Sequence, residues 1–405
     1  MPPQYIKKTL RLDHLRDFDG KLVLVRVDFN VPIEHGRVVE NFRLKSALPT
    51  IKYIAEHHGR PILISHLGRP EGRYDKNYSL TPIYRELRKL LPEYKVRFWD
   101  KKISDITRKD LSAIEVGEIV LLENIRFYAG EDKNQFAFAN ALSRLGHYYV
   151  NEAFSFSHRR AASIDRVARL LPSYLGFKFF EEIDSLSKLI KPGRPAVAII
   201  GGIKVETKLP LMAKLMSSYD NFLVGGVAAN VFFAAQHYEI GQSVIDHGNI
   251  RNAAEMLDRF SKKIILPIDV LIWSKQENII IRRKISEDKD IVYKADQMIL
   301  DVGPATVKLF SKYVRRAKTI VWNGPMGKME DSRFREGTTA LAHAVAGRSA
   351  GPTFGAVGGG ETIDALSRVG MLNDMDFVST GGGAMLDFLI DPKKFPGLAA
   401  ISSKK

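Results

Sequence analysis

Three polar side chains alternate with apolar ones in the segment Lys21–Pro32, which reads K-L-V-L-V-R-V-D-F-N-V-P. If the segment is a strand, Arg26, Asp28 and Asn30 share one face, because successive side chains of a strand point to opposite faces. A cation, an anion and an amide in one row match a small ligand that carries hydroxyl groups and negative charge. An ordinary strand whose polar face meets water gives the same pattern. The segment alone leaves both interpretations open.

Arginine and histidine residues follow other apolar runs in the first half of the chain. These runs end in S-H-L-G-R, E-N-I-R-F and N-E-A-F-S-F-S-H-R, and N-F-R-L-K-S follows the first run. Ligands of open parallel sheets bind beyond the carboxyl ends of the strands, and arginine binds phosphate and carboxylate oxygens bidentately. The pattern therefore predicts a basic cleft for a small polyanion. Its candidate residues are Arg26, Arg43, His66, Arg69, Arg126, His158 and Arg159.

Glycines dominate the ends of the apolar runs in the second half. These ends read G-G-I-K-V-E-T-K, V-G-G-V-A-A-N, L-D-V-G-P, W-N-G-P-M-G, V-G-G-G-E-T and S-T-G-G-G-A. Glycine lets the backbone approach phosphate closely, and N–H groups that open the next helix complete an anion site. With Lys204, Lys208, Glu361 and Thr362 among these loops, the pattern predicts a nucleotide site. Neither G-x-x-x-x-G-K-[ST] nor G-x-G-x-x-G occurs, which excludes a Walker P-loop and the standard dinucleotide fingerprint.

Alternating strands and helices must position these loops. The pattern predicts an α/β fold with two doubly wound, Rossmann-like parallel-sheet domains. The predicted strands are the apolar runs 21–31, 61–67, 118–127, 147–154, 196–203, 221–228, 263–273, 297–303, 319–325, 352–360 and 376–383. The predicted helices include Thr81–Leu91, Gln135–Leu145, Leu209–Ser217, Ile250–Phe260 and Arg335–Val345.

Length and composition limit the classes of protein. A chain of 405 residues, 45% of them hydrophobic, can bury two cores, and we expect domains at 1–172 and 196–390 joined by a hinge helix region at 173–195. The absence of cysteine excludes disulfides and cysteine nucleophiles. No run approaches about 20 apolar residues, so no transmembrane helix is expected. The N-terminal residues lack the apolar core of a signal peptide, and a cytoplasmic location is expected.

Eight motifs resemble the phosphoglycerate kinase family, in order and over nearly the full length. They are R-V-D-F-N-V-P, H-L-G-R-P, L-L-E-N-I-R-F, H-R, G-G-I-K-V-E-T-K, V-W-N-G-P-M-G, G-G-G-E-T and S-T-G-G-G-A. The resemblance implies reversible, Mg²⁺-dependent transfer of the acyl phosphate of 1,3-bisphosphoglycerate to ADP, which gives 3-phosphoglycerate and ATP, in glycolysis and gluconeogenesis. It also implies no nucleic-acid or membrane partner and a monomer or homodimer.

Site roles follow from the resemblance by motif position. The substrate would bind Asp28, Asn30, Arg43, His66, Leu67, Gly68, Arg69, Arg126 and Arg159. The nucleotide would bind Lys204, Lys208, Gly225, Gly226, Asn323, Glu330, Gly359, Gly360, Glu361 and Thr362. Catalysis would depend on Arg43, Lys204 and Gly360, and Mg²⁺ bound with ATP or ADP would be held by Glu361. The acceptor carboxylate is already ionised near pH 7, so no general base is required.

Three positions depart from the usual family motifs, namely Glu361 for Asp in G-G-G-D-T, Glu152 for Asp in N-D-A-F and Ile203 for Ala in G-G-A-K. The longer Glu361 side chain keeps an oxygen ligand for a hard cation but changes its reach. The resemblance also makes 1–172 the substrate domain and 196–390 the nucleotide domain, and it implies that the segment 391–405 joins the first.

Two other classes of protein stay open. The fold class is compatible with a nucleotide-binding oxidoreductase, although the fingerprint of that class is absent. The formal charge of +15 is compatible with a nucleic-acid-binding protein. However, the basic residues are spread over both halves without a basic tail, which favours a well-solvated surface.

Overall fold

The computed structural model describes residues 10–285 and 290–402, and its contacts divide the chain into two compact units. Unit 1 contains the chain up to Asp184 and again from Asp391, and unit 2 runs from Ser185 to Ile390. Each unit contains a six-stranded parallel sheet, which confirms the predicted fold class. Residues 1–9 and 403–405, which the predicted domains include, lie outside the described part of the chain.

A parallel sheet and a small hairpin form the β-structure of unit 1. The strands are β1 (Leu22–Arg26), β2 (Ile33–Glu34), β3 (Arg37–Val38), β4 (Arg60–Ile64), β5 (Val96–Trp99), β6 (Ile119–Leu122), β7 (Tyr148–Asn151) and β8 (Ser173–Leu175). The hairpin pairs β2 with β3, and the sheet has the order β5-β6-β4-β1-β7-β8. Every residue of β1 is buried, as expected for an inner strand of a parallel sheet.

Seven helices begin within unit 1 before its chain passes into unit 2. They are α1 (Phe42–Glu56), α2 (Thr81–Leu90), α3 (Arg108–Ser112), α4 (Ala129–Asp132), α5 (Phe136–Ser143), α6 (Val167–Leu170) and α7 (Phe177–Ile190). Leu44 and Ile51 of α1 are buried in the same core as Val25 of β1. This packing fixes the first turn of α1, which carries Arg43, near the end of β1.

The carboxyl group of Glu152 caps the first turn of α7. Its oxygens accept hydrogen bonds from the backbone N–H groups of Lys178 at 3.0 Å and Phe179 at 3.2 Å, and from the Thr50 hydroxyl at 2.8 Å. A Cβ at Gly176 would lie 2.0 Å from the Glu152 carboxyl, so only glycine fits beside it. Burial raises the pKa of Glu152 to about 8 despite these hydrogen bonds.

Unit 2 contains a parallel sheet and a second, antiparallel sheet. Its strands are β9 (Ala196–Ile200), β10 (Asn221–Val224), β11 (Ile264–Ile265), β12 (Asp269–Ser274), β13 (Ile279–Lys284), β14 (Gln297–Val302), β15 (Thr319–Asn323), β16 (Phe354–Gly358) and β17 (Phe377–Ser379). The parallel sheet has the order β11-β10-β9-β15-β16-β17, and the antiparallel sheet has the order β13-β12-β14. The carboxyl ends of β9, β10, β15 and β16 therefore lie along one edge.

Helices connect these strands in the usual alternation of a parallel sheet. They are α8 (Val205–Leu215), α9 (Gly226–Ala235), α10 (Ile250–Phe260), α11 (Pro304–Arg316), α12 (Glu336–Ser349), α13 (Gly360–Arg368) and α14 (Gly383–Ile390). Buried Ile199, Trp322 and Val357 bring β9, β15 and β16 into one core with Phe310 of α11 and Leu341 of α12. None of the described helices of the chain has the length and apolar character of a membrane span.

The chain returns to unit 1 after α14 and ends its described part in α15 (Pro396–Ser402). The Phe395 ring stacks on Phe154 with 5.1 Å between centroids. The Gly397 N–H donates to the Ser157 carbonyl at 2.9 Å. These contacts join the described part of the predicted segment 391–405 to unit 1.

Each predicted apolar run overlaps a strand, but most runs extend past the end of their strand, and the first does so by five residues. β1 ends at Arg26, where its pairing with Ile64 of β4 and Asn151 of β7 also ends. Asp28 and Asn30 therefore lie in the loop after β1 and not on a strand face. Arg26 is fully buried, so the interpretation of a water-facing polar row is wrong.

Candidate functional site

A partly buried ion pair lies just beyond β1. Nη1 of Arg43 donates to Oδ2 of Asp28 at 2.7 Å and to the Asn30 carbonyl at 3.3 Å. Ser155 donates a further hydrogen bond to the same Asp28 oxygen. Burial raises the pKa of Asp28, but Arg43, His66 and Ser155 together outweigh it and hold that pKa at about 2. The carboxylate is therefore ionised at neutral pH.

His66 lies beside this pair and is only 3% exposed. Its Nδ1 is 3.1 Å from Nη2 of Arg26 and 3.9 Å from Oδ1 of Asp28. Burial holds the pKa of His66 well below 6.5, and the attraction of Asp28 does not compensate, since Arg26, Arg126 and Arg43 act in the same direction as burial. His66 is accordingly a neutral imidazole at neutral pH.

The loop after β4 is held from both sides. The Gly68 N–H donates to Oδ1 of Asn30 at 2.9 Å, and the Gly68 carbonyl accepts from Nη1 of Arg126 at 2.8 Å. Gly68 has φ +59°, and a Cβ there would lie 2.2 Å from the Tyr78 ring, so glycine is required. The preceding carbonyl, of buried Leu67, accepts from the Asn124 amide at 2.8 Å.

Three guanidinium groups surround the buried ring of Phe156. The centroid of the ring lies 4.8 Å from Cζ of Arg26, 5.0 Å from Cζ of Arg126 and 6.0 Å from Cζ of Arg159. The His66 ring lies 4.4 Å from the same centroid. Cation–π attraction offsets part of the repulsion between the guanidinium groups, and a bound anion would offset more. The positive charge gathered here suits phosphate or carboxylate.

The predicted substrate residues are thus unequally connected. Asp28, Asn30, Arg43, His66, Gly68 and Arg126 form one contiguous set, which with Arg26 we call the arginine cluster. Arg159 contacts Phe156 next to this set, through its ring and through its carbonyl. Arg69 is exposed, and within residues 10–285 and 290–402 it makes no hydrogen bond or ion pair.

Four residues of this region were not predicted as site residues, namely Glu131, Ser155, Phe156 and Ser163. Ser155 and Phe156 lie within the motif N-E-A-F-S-F-S-H-R. Nothing in this pattern indicates which of its side chains turn back toward Asp28 and the arginines. Glu131 and Ser163 lie outside every motif that we singled out.

The loops after β9, β10 and β15 pack directly on one another in unit 2, and we call them the glycine loops. The N–H groups of Gly202 and Gly226 donate to the carbonyls of Pro325 at 2.8 Å and Met326 at 3.0 Å. Gly226 has φ +56°, and a Cβ there would lie 2.7 Å from the Gly202 nitrogen. A Cβ at Gly225 would lie 2.5 Å from Sδ of Met326. Both of these predicted nucleotide residues are required for packing.

Two lysines lie at the start of α8, one just before the helix and one in its first turn. Lys204 occupies the N-cap position and is exposed, and its ammonium group makes no hydrogen bond or ion pair within the described part of the chain. Lys208 is buried, and its Nζ donates to Oδ1 of Asn323. Burial lowers the pKa of Lys208 to about 8, although Glu361 acts in the opposite direction. Nδ2 of Asn323 is buried and finds no partner among the described residues.

The loop G-G-G-E-T opens α13. Gly359, with φ +95°, is the N-cap, and a Cβ at Gly360 would meet no atom within 4 Å. The Thr362 hydroxyl accepts from the Gly324 N–H at 2.7 Å, which ties α13 to the glycine loops. The N–H groups of Gly360 and Glu361 donate to no group in residues 10–285 and 290–402. These features are typical of an anion site at the start of a helix.

A cavity of about 430 Å³ lies in unit 2 beside these loops. Its walls are mainly apolar, with Val227, Phe233, Met298 and Met326 among them. Such a volume and lining are typical of a small-molecule site. Of the predicted nucleotide residues, Gly226, Glu330 and Glu361 line this cavity. Lys204, Lys208, Gly225, Asn323, Gly359, Gly360 and Thr362 are not part of its lining.

The donor set suits a magnesium ion that arrives with a nucleotide. No group of three or more His, Asp or Glu side chains with metal-binding spacing occurs in the described residues. Mg²⁺ usually binds through one or two carboxylates and the substrate phosphates, and keeps several waters. Glu361 is exposed on the wall of the cavity, and Asp364, one turn later, also lines it. These residues fit a nucleotide-borne Mg²⁺ better than a metal cage made of protein ligands alone.

Asp301 is a buried carboxyl group in the wall of the same cavity that the sequence did not single out. It accepts from the N–H groups of Gly337 at 2.9 Å and Val302 at 2.8 Å. Burial outweighs these hydrogen bonds and raises the pKa of Asp301 to about 7. Because the Asp301 carboxyl group binds its proton more tightly in the folded state, it contributes to the stability of the fold. This contribution is full below the unfolded pKa of 3.8 and is lost as the pH rises through about 7.

We therefore expect Asp301→Asn to flatten the decline in the stability of unit 2 between about pH 5 and pH 8, by on the order of 2 kcal/mol. Urea unfolding at both pH values measures this slope, separately from any constant offset caused by the lost hydrogen bond. Asp269→Asn is the matched control. Burial raises the pKa of Asp269, but Thr306, Ala305 and Arg282 lower it overall to below 3.8, so that variant should lose about the same stability at both pH values and leave the slope unchanged. An unchanged slope in Asp301→Asn would contradict the prediction.

Comparison with known proteins gives consistent matches over nearly the whole chain. The family model described as phosphoglycerate kinase matches residues 12–391. The phosphoglycerate kinase of Pelotomaculum thermopropionicum is 39% identical over 396 residues, which cover 96% of this chain and 99% of that protein. The structure of phosphoglycerate kinase from Coxiella burnetii superposes with a TM-score of 0.85 at 34% identity, and covers 98% of this chain and 99% of that one. The phosphoglycerate kinase structure from Pyrococcus horikoshii OT3 gives 0.82 at 29% identity, with 97% and 98% covered.

Proposed function

Because this chain belongs to the phosphoglycerate kinase family, we propose that the arginine cluster binds its glycerate substrate and that the glycine loops bind its nucleotide. The chain is a phosphotransferase with a carboxyl group as acceptor. It transfers a phosphoryl group reversibly between 1,3-bisphosphoglycerate and ADP, giving 3-phosphoglycerate and ATP. The observation that carries the assignment of sites is the contrast between an arginine cluster on one sheet and glycine loops with lysines on the other.

The arginine cluster offers each kind of contact that 3-phosphoglycerate requires. Asp28, ionised and held by Arg43, can accept a hydrogen bond from the glycerate hydroxyl. Neutral His66 can donate one to a carboxylate or phosphate oxygen. Arg126, Arg159 and exposed Arg69 supply charge for the phosphate, whose oxygens match the guanidinium fork. Asn30, Leu67 and Gly68 hold the loop between these side chains.

The glycine loops supply the matching contacts for ATP or ADP. The apolar cavity accommodates the base, and the exposed Glu330 carboxylate on its wall can accept from the ribose hydroxyls. Free N–H groups at Gly360 and Glu361, together with Lys204 and Lys208, are the donors for the phosphates. Gly225, Gly226, Asn323, Gly359 and Thr362 then act by shaping these loops.

Transfer in this family does not require proton abstraction. The attacking carboxylate has an ordinary pKa of about 4 and is already ionised at neutral pH. The remaining task is to hold two polyanions and to neutralise charge on the phosphoryl group as it moves. We assign this task to Arg43, Lys204 and the N–H group of Gly360. Mg²⁺, when bound with the nucleotide, would add a Lewis acid at the phosphates, and Glu361 is the residue that would hold it.

We expect Glu361→Gln to raise the Mg²⁺ concentration for half-maximal activity by roughly tenfold, since a neutral amide replaces a charged ligand. Activity titrated with Mg²⁺ at a fixed, saturating ATP concentration measures the effect. Asp364→Asn, in the same helix, serves as the matched variant. A shift in Asp364→Asn without one in Glu361→Gln would place the metal ligand one turn later.

A coupled assay with 3-phosphoglycerate, ATP and Mg²⁺ tests the function itself. We expect turnover that depends on all three components. No turnover by the folded wild-type protein would overturn the proposal. The oxidoreductase alternative predicts a spectral change when NADH is added, and the nucleic-acid alternative predicts binding with a steep salt dependence. We expect neither.

A further inference from the structure

A buried hydrogen-bond chain leads from Glu131 to the arginine cluster. Oε1 of Glu131 accepts from the Ser163 hydroxyl at 2.6 Å, and Oε2 accepts from the Ser163 N–H at 2.9 Å. The same Ser163 oxygen accepts from Nε of Arg26 at 2.9 Å. Glu131, Ser163 and Arg26 are all 0% exposed. Nothing in the proposed reaction uses Glu131. Burial raises the pKa of Glu131, whereas the charge of Arg26 and the two hydrogen bonds from Ser163, which both of its oxygens accept, favour the carboxylate.

The chain continues from Arg26 to the ring of His66. Nη1 of Arg26 donates to the Val27 carbonyl and Nη2 lies 3.1 Å from Nδ1 of His66, so the three nitrogens of the guanidinium group each have a fixed partner. Glu131 and Asp28 favour the charged form of this buried arginine, against the effect of burial. The guanidinium group is therefore both ionised and fixed in orientation.

This contact determines which ring nitrogen of His66 carries the proton. Arginine has hydrogen-bond donors and no acceptor, so Nδ1 of His66 must accept from it. A neutral imidazole that accepts at Nδ1 carries its hydrogen on Nε2. In the described part of the chain, no group hydrogen-bonds Nε2 of His66. That N–H is free to donate to a ligand.

We propose that Glu131 is a positioning residue for substrate binding, because through Ser163 and Arg26 it holds His66 as the Nε2–H tautomer that donates to an anionic oxygen of the glycerate substrate. The proposal rests on the proposed binding of that substrate at the arginine cluster. It adds a residue that touches neither substrate nor nucleotide. Without the Glu131 carboxylate, Asp28 is the nearby anion left to favour the charge of Arg26, and the Ser163 hydroxyl that accepts from Nε of Arg26 loses its charged acceptor, so the orientation of Arg26 toward Nδ1 of His66 is less well fixed.

The first test observes the ring directly in the ligand-free protein. In protein labelled with ¹⁵N-histidine, long-range ¹H–¹⁵N spectra distinguish the two tautomers, and His66→Gln identifies the signal by its loss. We expect one tautomer, Nε2–H, between about pH 6 and pH 8 in the wild type, and a mixture of tautomers in Glu131→Gln. A wild-type ring that is protonated or is the Nδ1–H tautomer would overturn the proposal, as would an unchanged ring in the variant.

The second test separates positioning from general stability through kinetics. We expect Glu131→Gln to raise KM for 3-phosphoglycerate about tenfold, with KM for ATP and kcat changed less than about twofold. The matched control is Glu118→Gln, a buried carboxylate of unit 1 that pairs with Arg97 at 2.7 Å. That control should leave both KM values unchanged. Equal effects of the two variants on KM for 3-phosphoglycerate would overturn the proposal.

Ser163→Ala tests the positioning role of Glu131 if Glu131→Gln does not fold. It removes the hydroxyl that joins Arg26 to Glu131 and leaves the buried charges in place. We expect a mixture of tautomers and KM for 3-phosphoglycerate raised about threefold to fivefold. If neither quantity moves, the proposal is wrong. Because the tautomer is read without substrate, its result stands apart from the turnover assay of the wild type, which tests the proposed function.

Discussion

Replacing Lys204 with alanine should lower kcat by on the order of 10²–10³ and leave the stability of the fold unchanged. Lys204 is exposed at the N-cap of α8, and its ammonium group has no partner among the described residues. No fold contact of the ammonium is lost, so a loss of activity reports on ligands alone. Single-turnover rates with ATP and 3-phosphoglycerate bound measure the effect on the chemical step.

A lysine at the other end of α8 provides the control for this prediction. Lys214 is exposed in the last turn of α8, and its replacement by alanine should leave kcat and both KM values unchanged. Lys204→Arg keeps the charge but spreads it over a planar fork, so it should recover only part of the rate. Full activity in Lys204→Ala would rule out the role that we assign to this residue.

Replacing Arg43 with alanine should lower kcat/KM for 3-phosphoglycerate by on the order of 10²–10³ as well, with a second effect that Lys204 lacks. Asp28 is buried, and Arg43 is the largest of the influences that lower its pKa to about 2. Without Arg43, the largest influence opposing burial is lost, and the pKa of Asp28 should rise. We also expect the free energy of unfolding to fall by about 1–2 kcal/mol, a modest value because Arg43 is one-third exposed.

Two measurements separate the effects of Arg43→Ala. Titration of the Asp28 carboxyl by NMR follows its pKa, and urea unfolding follows stability. Arg85→Ala, an exposed arginine of α2, is the control and should change neither quantity. A normal kcat/KM in Arg43→Ala would exclude Arg43 from the reaction even if the pKa of Asp28 moved as expected.

The sequence was most informative where apolar runs and helical periods are long. Predicted Ile250–Phe260 is α10 to the residue, and the predicted apolar run 196–203 contains the fully buried β9. The strands that were not predicted are short or charged: β8 has three residues, and β13 contains Arg282, Arg283 and Lys284. Such strands exist because a neighbouring strand pairs with them, and no local pattern encodes that pairing.

For the sites, the sequence indicated which loops contain the binding residues, but it did not indicate which contacts the individual side chains make. Asp28 and His66 were predicted from motifs, whereas their contacts with Ser155 and Arg26 depend on tertiary packing. Glu131 lies more than 100 residues after Arg26 in the sequence, and only the fold brings the two into one hydrogen-bond chain. Gly225 was predicted to bind nucleotide, and its close contact with Met326 shows a packing requirement that a Gly-Gly pair alone does not reveal.

The three guanidinium groups around Phe156 have a consequence for the thermodynamics of the protein. Like charges that the fold holds together can separate when the chain unfolds. Repulsion between these guanidinium groups therefore destabilises the ligand-free folded state, and a bound anion reduces this repulsion. A ligand that binds only the folded state raises the free energy of unfolding by RT ln(1 + [L]/Kd), about 2.7 kcal/mol at one hundred times Kd. If the glycerate substrate binds the arginine cluster as we propose, it should therefore also stabilise the folded state of unit 1.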